Sequence, residues 1–230
     1  MIYVGNDVVD TDQAAQPGDR GWDRFIGRVL AADERRLVRE RSDITVLPWM
    51  LWAAKESAFK IMRKRDPSAI FAHPGFHVDC DDLTSRLPDR LFPGGTLPGA
   101  IRHAGQRFSL RWDIGMGYVH CLAWHPGGGH PDLASVVEET DDAVGIVLDP
   151  REAASVHSPA SARVRHLARR LVHQRYGLED ACIVRERGND GRFGPPRVMA
   201  QGGAVPDLDL SLSHDGRFVA VACASSLESH

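Results

Sequence analysis

The chain has 230 residues, of which 43% are hydrophobic and 26% charged, and its formal net charge is −3 at pH 7. This length and composition are typical of one large or two small globular domains and exclude an intrinsically disordered chain. The small net charge provides no overall attraction to nucleic acid or to a membrane surface. No window approaches the ~18 apolar residues of a transmembrane helix. We therefore expect a globular protein without nucleic-acid or membrane partners.

The cysteines and the N-terminus indicate a reducing compartment. Cys80, Cys121, Cys182 and Cys223 form no CxxC pair, and each lies in or beside an apolar run. This pattern is typical of buried free thiols. The first ten residues, MIYVGNDVVD, have neither the basic segment nor the apolar core of a signal peptide. We therefore expect a cytoplasmic protein with a polar, frayed C-terminal tail.

The first half of the chain predicts a strand, three helices and a hairpin. Residues 2–9 are rich in β-branched residues and predict a strand. Asp7 interrupts this strand, and a carboxylate there is costly to bury unless it is paired or metal-bound. The other predicted helices are Trp22–Val29, Asp33–Arg41 and a long helix that begins near Pro48 and ends at Asp66-Pro67. The remaining predicted elements are a strand at Phe76–Val78, a turn at Leu91–Leu97, and hairpin strands at Arg107–Trp112 and Tyr118–Trp124.

The second half begins after a Gly- and Pro-rich stretch and an acidic run, which predict an interdomain linker over residues 127–142. Helical spacing of apolar residues predicts a helix at Pro159–Tyr176, closed by Gly177. The remaining predicted elements are strands at Ala143–Asp149 and Cys182–Arg185, a loop at Gly188–Pro196, and a hairpin with strands at Leu208–Leu212 and Phe218–Ala224.

The two hairpins align with each other without a gap. FSLRWDIGMGYVHCLAW, at 108–124, matches LDLSLSHDGRFVAVACA, at 208–224, as strand, glycine turn and strand. This similarity predicts an α+β protein of two similar subdomains, each a helix packed on an antiparallel sheet, related by a pseudo-twofold axis. Chance similarity of two hairpins is the alternative. The predicted division is an N-terminal subdomain (1–126), a linker (127–142), a C-terminal subdomain (143–225) and a tail (226–230).

The long helix carries a polar pair on one side. Glu56 and Lys60 are four residues apart and therefore one turn above each other. Such a pair is often a solvated ion pair. It can also combine a metal ligand with a cation that stabilises phosphate charge. The histidine pairs His73/His77 and His120/His125 have no third ligand at a recognisable spacing, which indicates structural histidines.

Several motifs in order resemble the 4′-phosphopantetheinyl transferase superfamily. They are GNDVVD (Gly5–Asp10), RFIGRVL (Arg24–Leu30), WAAKESAFK (Trp52–Lys60), GRFGPP (Gly191–Pro196) and LSLSH (Leu210–His214). Their order is that of the short holo-acyl-carrier-protein synthases, whereas the length resembles the pseudo-dimeric long branch. The resemblance implies the fold of the family and a monomer.

The resemblance also implies an activity. Members of the family transfer the 4′-phosphopantetheine arm of coenzyme A to a serine of an apo acyl, polyketide or peptidyl carrier protein and release 3′,5′-ADP. The matching positions assign Mg²⁺, or alternatively Mn²⁺, to Asp7 and Glu56. Lys60 would face the pyrophosphate, and Glu56 or a metal-bound water would take the proton of the serine. Glu56 and Lys60 are therefore the predicted catalytic residues.

The same comparison implies a coenzyme A site, for which the predicted residues are Lys55, Lys60, Ser213, His214, Gly194 and Pro195. The long branch has a second carboxylate where this chain has Val9, and Asp10 points to the opposite face of a strand from Asp7. Charge alone suggests Arg185, Arg187, Arg192 and Arg197 for the 3′-phosphate, and Arg35, Arg36 and Arg39 for contact with an acidic carrier protein. Two other functions stay open: a non-catalytic relative that binds coenzyme A and carrier proteins, and a metal-dependent pyrophosphohydrolase.

Overall fold

A computed structural model describes residues 2–125, 132–140, 145–188 and 191–225. The first half contains β1 (Val4–Asp10), α1 (Trp22–Val29), α2 (Ala32–Glu40), α3 (Leu47–Arg65), a 3₁₀ turn (His73–Gly75), β2 (His77–Val78), α4 (Cys80–Arg86), β3 (Thr96–His103), β4 (Gln106–Gly115) and β5 (Tyr118–Trp124). The second half contains β6 (Asp132–Glu139), α5 (Pro150–Ala153), α6 (Pro159–Tyr176), β7 (Cys182–Val184), β8 (Arg197–Ala200), β9 (Gly203–Asp215) and β10 (Phe218–Ser225).

The described strands form two antiparallel sheets with the same topology. The first has the order β1-β5-β4-β3-β2 and the second the order β6-β10-β9-β8-β7. The central hairpins match in register as well, since Gly115 pairs with Tyr118 in one and Asp215 with Phe218 in the other. Each half also has its long helix between its first and second strands. The predicted fold, two similar α+β subdomains with helices on antiparallel sheets, is confirmed.

Helix α3 forms the core of the first half. It begins with Pro48 in its first turn, where the missing N–H leaves no hydrogen bond unmade. Its buried face packs on the sheet, and β1 approaches it so closely that a Cβ on Gly5 would overlap the carbonyl of Ser57. Only glycine, which has no Cβ, fits at this distance from α3. The close approach brings the next residues of β1 beside α3.

We expect Gly5→Ala to lower the free energy of unfolding by about 1–3 kcal/mol, because the added methyl group must displace backbone atoms of α3. Gly27→Ala is the matched control. Gly27 lies in α1 with open space around its Cα, so alanine there should stabilise the helix slightly. Urea denaturation of both variants measures the difference, and equal midpoints would contradict the predicted close approach.

Part of the predicted linker is a strand. Residues 132–139 form β6, the edge strand that pairs with β10. The acidic residues that suggested a linker are those of an exposed edge, where Glu138 and Glu139 form ion pairs with Arg170 and Arg217. The rest of the predicted linker comprises residues 127–131 and 140–142, of which only Thr140 is among the described residues. The predicted tail, 226–230, lies outside the described residues.

Three other elements differ from the prediction. Residues 145–149, within the predicted strand Ala143–Asp149, have no regular structure, and the first two residues of that prediction lie outside the described part. Strand β3 and helix α4 were not predicted. Pro98 and Gly99 conceal the strand pattern of β3. Gly99 leaves room for the indole of Trp112, which a Cβ would overlap. Helix α4 has only one and a half to two turns and follows an Asp79 cap.

The first and second halves meet along β1 and β9. β1 is an edge strand, so alternate backbone N–H groups point away from its own sheet. Side chains of β9 accept hydrogen bonds from these N–H groups, and in each of the four bonds the donor and acceptor residues are 205 positions apart in the sequence. The donors and acceptors are Val4 and Asp209 (2.7 Å), Asn6 and Ser211 (2.9 Å), Val8 and Ser213 (3.2 Å), and Asp10 and Asp215 (2.9 Å). This side-chain ladder fixes the register between the halves.

All four cysteines are buried and free, as predicted. No helix in the described part of the chain has the length and apolar character needed to span a bilayer.

Candidate active site

Asp7, Glu56 and Lys60 converge where β1 crosses α3. The Lys60 ammonium donates to the Asp7 carboxylate at 2.9 Å and to the backbone carbonyl of Asn6 at 2.6 Å. It also approaches the Leu212 carbonyl of β9, at 3.5 Å. Lys60, one of the two predicted catalytic residues, therefore contacts both halves of the fold.

The second half holds Asp7 in place through Ser213. The hydroxyl of Ser213 donates to the Asp7 carboxylate at 2.7 Å and accepts from the backbone N–H of Val8 at 3.2 Å. Ser213 is buried, whereas His214 is exposed and lines a cavity next to Asp7 and Glu56. The structure thus places Ser213 against the acidic centre and His214 at its rim.

Glu56 is half-buried and has no hydrogen-bond partner among the described residues. Burial, and after it the negative charge of Asp7, raises the pKa of its carboxyl to about 7, although the positive charge of Lys60 opposes both. A cation placed between two partly buried carboxylates offsets their mutual repulsion. Asp7 and Glu56 therefore form a place where a bound cation would be stabilised.

The donor set fits a magnesium ion that is shared with a substrate. Mg²⁺ in phosphate-transferring sites takes one or two carboxylates and completes its shell with phosphate oxygens and water. Asp7 and Glu56 supply two such carboxylates. In the described ranges, no group of three or more His, Cys, Asp or Glu side chains could hold a metal alone. The predicted Mg²⁺ is therefore compatible with these residues but is not shown by them.

A basic cavity of about 420 Å³ opens beside Lys60. Its basic side chains come from α3 and from the segment between β7 and β8, and they are Lys60, Arg63, Lys64, Arg185, Arg187, Arg192 and Arg197. The Arg185 guanidinium bonds only to carbonyls in the described residues, those of Gly194 (2.7 Å) and Phe193 (3.3 Å). Burial lowers the pKa of Arg185, and the nearby charge of Arg63 lowers it further. Arg63 has no acidic partner in the described part, so this cavity presents uncompensated positive charge.

An aromatic cavity of about 490 Å³ lies on the other side of the acidic centre. Asp7, Glu56 and His214 line it together with Phe25, Trp49 and Trp52. The ring of Phe25 stacks on Trp49 at 5.1 Å and lies 5.5 Å from Trp52. The acidic centre thus lies between a basic cavity and an aromatic one.

The predicted loop residues line the basic cavity. Gly194 and Pro195 lie in its wall, where the Arg185 guanidinium holds the Gly194 carbonyl. Of the predicted coenzyme A residues, Lys60, Gly194 and Pro195 line the basic cavity, His214 lines the aromatic one, and Ser213 lies against Asp7.

Lys55 does not reach either cavity, which corrects its predicted role as a coenzyme A ligand. Its side chain is fully buried and pairs with the carboxylate of Glu34 at 2.7 Å. The ammonium also donates to the carbonyls of His73, at 3.1 Å, and Phe76. Adjacent residues on a helix point about 100° apart, and here that rotation directs Lys55 into the core while Glu56 faces the cleft. We therefore assign Lys55 a structural role.

Asp10 is also structural. Its buried carboxylate accepts two hydrogen bonds from the Arg217 guanidinium, at 3.0 and 3.1 Å, and one from the Arg217 backbone N–H at 3.0 Å. These contacts fasten the end of β1 to the turn between β9 and β10.

The predicted site residues did not include Lys64 and Arg63, although both belong to a basic cluster at Lys60–Arg65 that is visible in the sequence. The Lys64 ammonium donates to the carbonyls of Val4 (2.6 Å) and Leu210 (2.7 Å) and pairs with Asp209 at 2.6 Å. Burial lowers the pKa of Lys64, although Asp209 opposes this. Both residues lie three or four positions after Lys60 on α3, so helical spacing was the signal that could have found them.

Comparison with known proteins identifies the first half. The sequence model of the 4′-phosphopantetheinyl transferase superfamily matches residues 3–114. The resemblance to this superfamily inferred from the motifs is thereby confirmed for the first half of the chain. A holo-[acyl-carrier-protein] synthase of Roseiflexus castenholzii is 36% identical over 62 residues, which are 27% of this chain and 43% of the relative. The chain thus matches less than half the length of this relative.

The transferase match covers the Asp7 motif and the Glu56–Lys60 helix. The glycine–proline loop and the Ser-His motif lie outside residues 3–114. Both motifs belong to the second half, whose sheet has the same strand order as the first. Packing of the two halves brings the loop to the basic cavity and Ser213 to Asp7.

Proposed function

We propose that the chain transfers the 4′-phosphopantetheine arm of coenzyme A to a serine of an apo carrier protein, in the manner of a holo-acyl-carrier-protein synthase. The observation that carries the proposal is the position of Asp7, Glu56 and Lys60 between a basic and an aromatic cavity. Phosphoryl transfer depends mainly on positioning and charge neutralisation, and this arrangement provides both.

Coenzyme A would lie with its adenosine phosphates in the basic cavity. Three phosphate groups require several cations, and Arg63 and Arg185 are positive charges without acidic partners among the described residues. The pyrophosphate would lie beside Lys60, at the boundary of the two cavities. The Lys60 ammonium would neutralise charge on the departing phosphate oxygen.

The reaction exchanges one phosphorus–oxygen bond for another. The serine oxygen of the carrier protein forms a bond to the phosphorus that bears pantetheine, the bond to the bridging oxygen breaks, and 3′,5′-ADP leaves. Glu56 is the candidate acceptor for the serine proton because no described group occupies its carboxylate. Asp7 and Glu56 would hold Mg²⁺, which when bound neutralises phosphate charge.

Mass spectrometry of an apo carrier protein incubated with the chain, coenzyme A and Mg²⁺ tests the proposal. The expected result is a gain of one phosphopantetheine on serine that is lost when EDTA is added. Formation of free phosphopantetheine, with the carrier protein unchanged, would instead identify a pyrophosphohydrolase. Binding of coenzyme A without any product would indicate a non-catalytic relative.

Arg63→Ala should raise the KM for coenzyme A about tenfold with little change in kcat, since one charge-assisted hydrogen bond contributes roughly 1.5 kcal/mol. A change in KM alone marks binding that is equal in the ground and transition states. Arg107→Ala, an exposed arginine on β4, is the control for loss of one positive charge. Equal KM values for the two variants would remove Arg63 from the coenzyme A site.

A further inference from the structure

Strand β1 sends alternate side chains to its two faces. Gly5 and Asp7 face α3, whereas Val4, Asn6 and Val8 face the second half of the fold. Val4 and Val8 each lie in an apolar cluster with side chains of β10. Asn6, between them, is completely buried. A buried amide is costly unless it finds polar partners, so the contacts of Asn6 need an explanation that packing alone does not provide.

The partner of Asn6 is His120, on the neighbouring strand β5. The side-chain amide nitrogen of Asn6 lies 3.2 Å from Nε2 of His120, which is also completely buried. The Nδ1 atom of His120 makes no hydrogen bond in the described part of the chain, but the carboxylate of Asp113 on β4 lies 3.5 Å from it. This negative charge favours a proton on Nδ1, which leaves Nε2 to accept from the amide of Asn6.

Asp113 keeps its negative charge in this place. Burial alone would raise the pKa of its carboxyl, but His120 and Arg111 together outweigh burial and lower the pKa. The Arg111 guanidinium donates to Asp113 at 3.2 and 3.3 Å and to the hydroxyl of Ser135, on β6, at 2.8 Å. A row of polar side chains therefore runs from β6 of the second half across the first sheet to Asn6.

The backbone of Asn6 contacts the candidate active site. Its carbonyl accepts from the Lys60 ammonium at 2.6 Å, and its N–H donates to the hydroxyl of Ser211 at 2.9 Å. Both backbone groups point away from β5, since they belong to the outer edge of β1. The side chain of Asn6 therefore supplies the hydrogen bond to β5 at this residue, directly before Asp7.

We propose that Asn6 and His120 are positioning residues for phosphopantetheine transfer, which fix the backbone carbonyl that orients Lys60 beside Asp7. This inference rests on the proposed function, because the transfer step is its readout. Neither Asn6 nor His120 lines the basic or the aromatic cavity, so neither would touch coenzyme A.

Their effect passes through Lys60. Its ammonium contacts two oxygen atoms on β1, those of the Asn6 carbonyl and the Asp7 carboxylate, and one on β9. A shift of β1 at Asn6 would therefore move the ammonium relative to the pyrophosphate that it is proposed to neutralise. Misplacement of a reacting group by about 1 Å can slow a reaction by about 10²-fold.

His120→Leu tests the role of the histidine. We expect the kcat for release of 3′,5′-ADP, at saturating coenzyme A and carrier protein, to fall about tenfold or more. The KM for coenzyme A should change less than about twofold, because the substrate loses no contact. His120→Gln keeps a polar group near the position of Nε2 and should recover most of the kcat.

His103→Leu is the matched control. His103 lies on β3 of the same sheet, where its ring stacks on Phe76 and bonds to the carbonyl of Gly75. Its loss should lower the urea midpoint of unfolding and leave the kcat of the folded protein unchanged. If His120→Leu does not fold, Asn6→Val provides the same test, since it removes the amide and keeps the backbone carbonyl that Lys60 contacts.

The Asn6→Val/His120→Leu double variant shows whether the two side chains act as one unit. We expect its kcat to equal that of the slower single variant, because both substitutions remove the same contact. Losses of kcat that multiply, or a kcat of His120→Leu equal to that of His103→Leu, would overturn the positioning role while transfer by the unmodified chain upholds the proposed function. If the unmodified chain modifies no carrier protein, the proposed function fails, and the positioning role with it.

Discussion

Asp7→Asn is expected to lower kcat/KM for phosphopantetheine transfer by about 10³-fold, the scale on which removal of one preorganised charged group acts. Asparagine keeps the size of the side chain but removes the charge that faces Lys60 at 2.9 Å and would bind the cation. The hydrogen bond from Ser213 can persist, so the fold should survive. A continuous assay of 3′,5′-ADP release measures the change.

A readout that does not depend on activity separates the metal from the fold. Mn²⁺ binding, followed by water-proton relaxation, should be lost in Asp7→Asn and retained in Asp12→Asn. Asp12 lies five residues further along the chain, is 64% exposed, and pairs with Arg217. Retention of Mn²⁺ binding by Asp7→Asn would contradict the assignment of Asp7 as a ligand.

Lys55→Met should act on stability instead of coenzyme A binding. The substitution leaves the buried Glu34 carboxylate without its cation and two carbonyls without their donor. Removing one partner of a buried ion pair typically costs about 3–5 kcal/mol. We therefore expect a large decrease in the urea midpoint of unfolding, with the KM for coenzyme A unchanged in the protein that remains folded.

Two further variants make this prediction specific. Glu34→Gln/Lys55→Met removes both charges and should recover part of the lost stability, because replacing a whole buried pair is often nearly neutral. Lys60→Met should show the opposite pattern, with transfer lost and a smaller effect on unfolding. A Lys55→Met protein of normal stability with weakened coenzyme A binding would restore Lys55 to the coenzyme A site.

Patterns local to one element could be predicted from sequence. The ends of α1 and α6 and the two central hairpins follow from helical spacing, a glycine cap and glycine turns. The place of Glu56 and Lys60 on one helix side follows from their spacing. Asp7 was predicted from the cost of a carboxylate inside a strand and from the resemblance to the family.

Features that depend on distant residues could not be predicted. The acidic residues of β6 suggested a linker. They form ion pairs with Arg170 and Arg217, which are too distant in sequence for a local pattern to reveal them. The burial of Lys55 depends on Glu34 from another helix. The bond from Ser213 to Asp7 joins residues 206 positions apart. No local pattern contains such information, because tertiary packing sets it.

The ladder between β1 and β9 dictates the order in which a working molecule can be assembled. β1 leaves the ribosome well before β9, yet its outward N–H groups find their acceptors on β9, 205 residues later. Contacts with such separation close late in folding. A nascent chain can therefore complete the helices and hairpin of its first half while its reactive centre stays unfinished. Ser213 reaches Asp7 only when the β9–β10 hairpin docks, so under the proposed function we expect a chain that lacks this hairpin to be inactive toward coenzyme A.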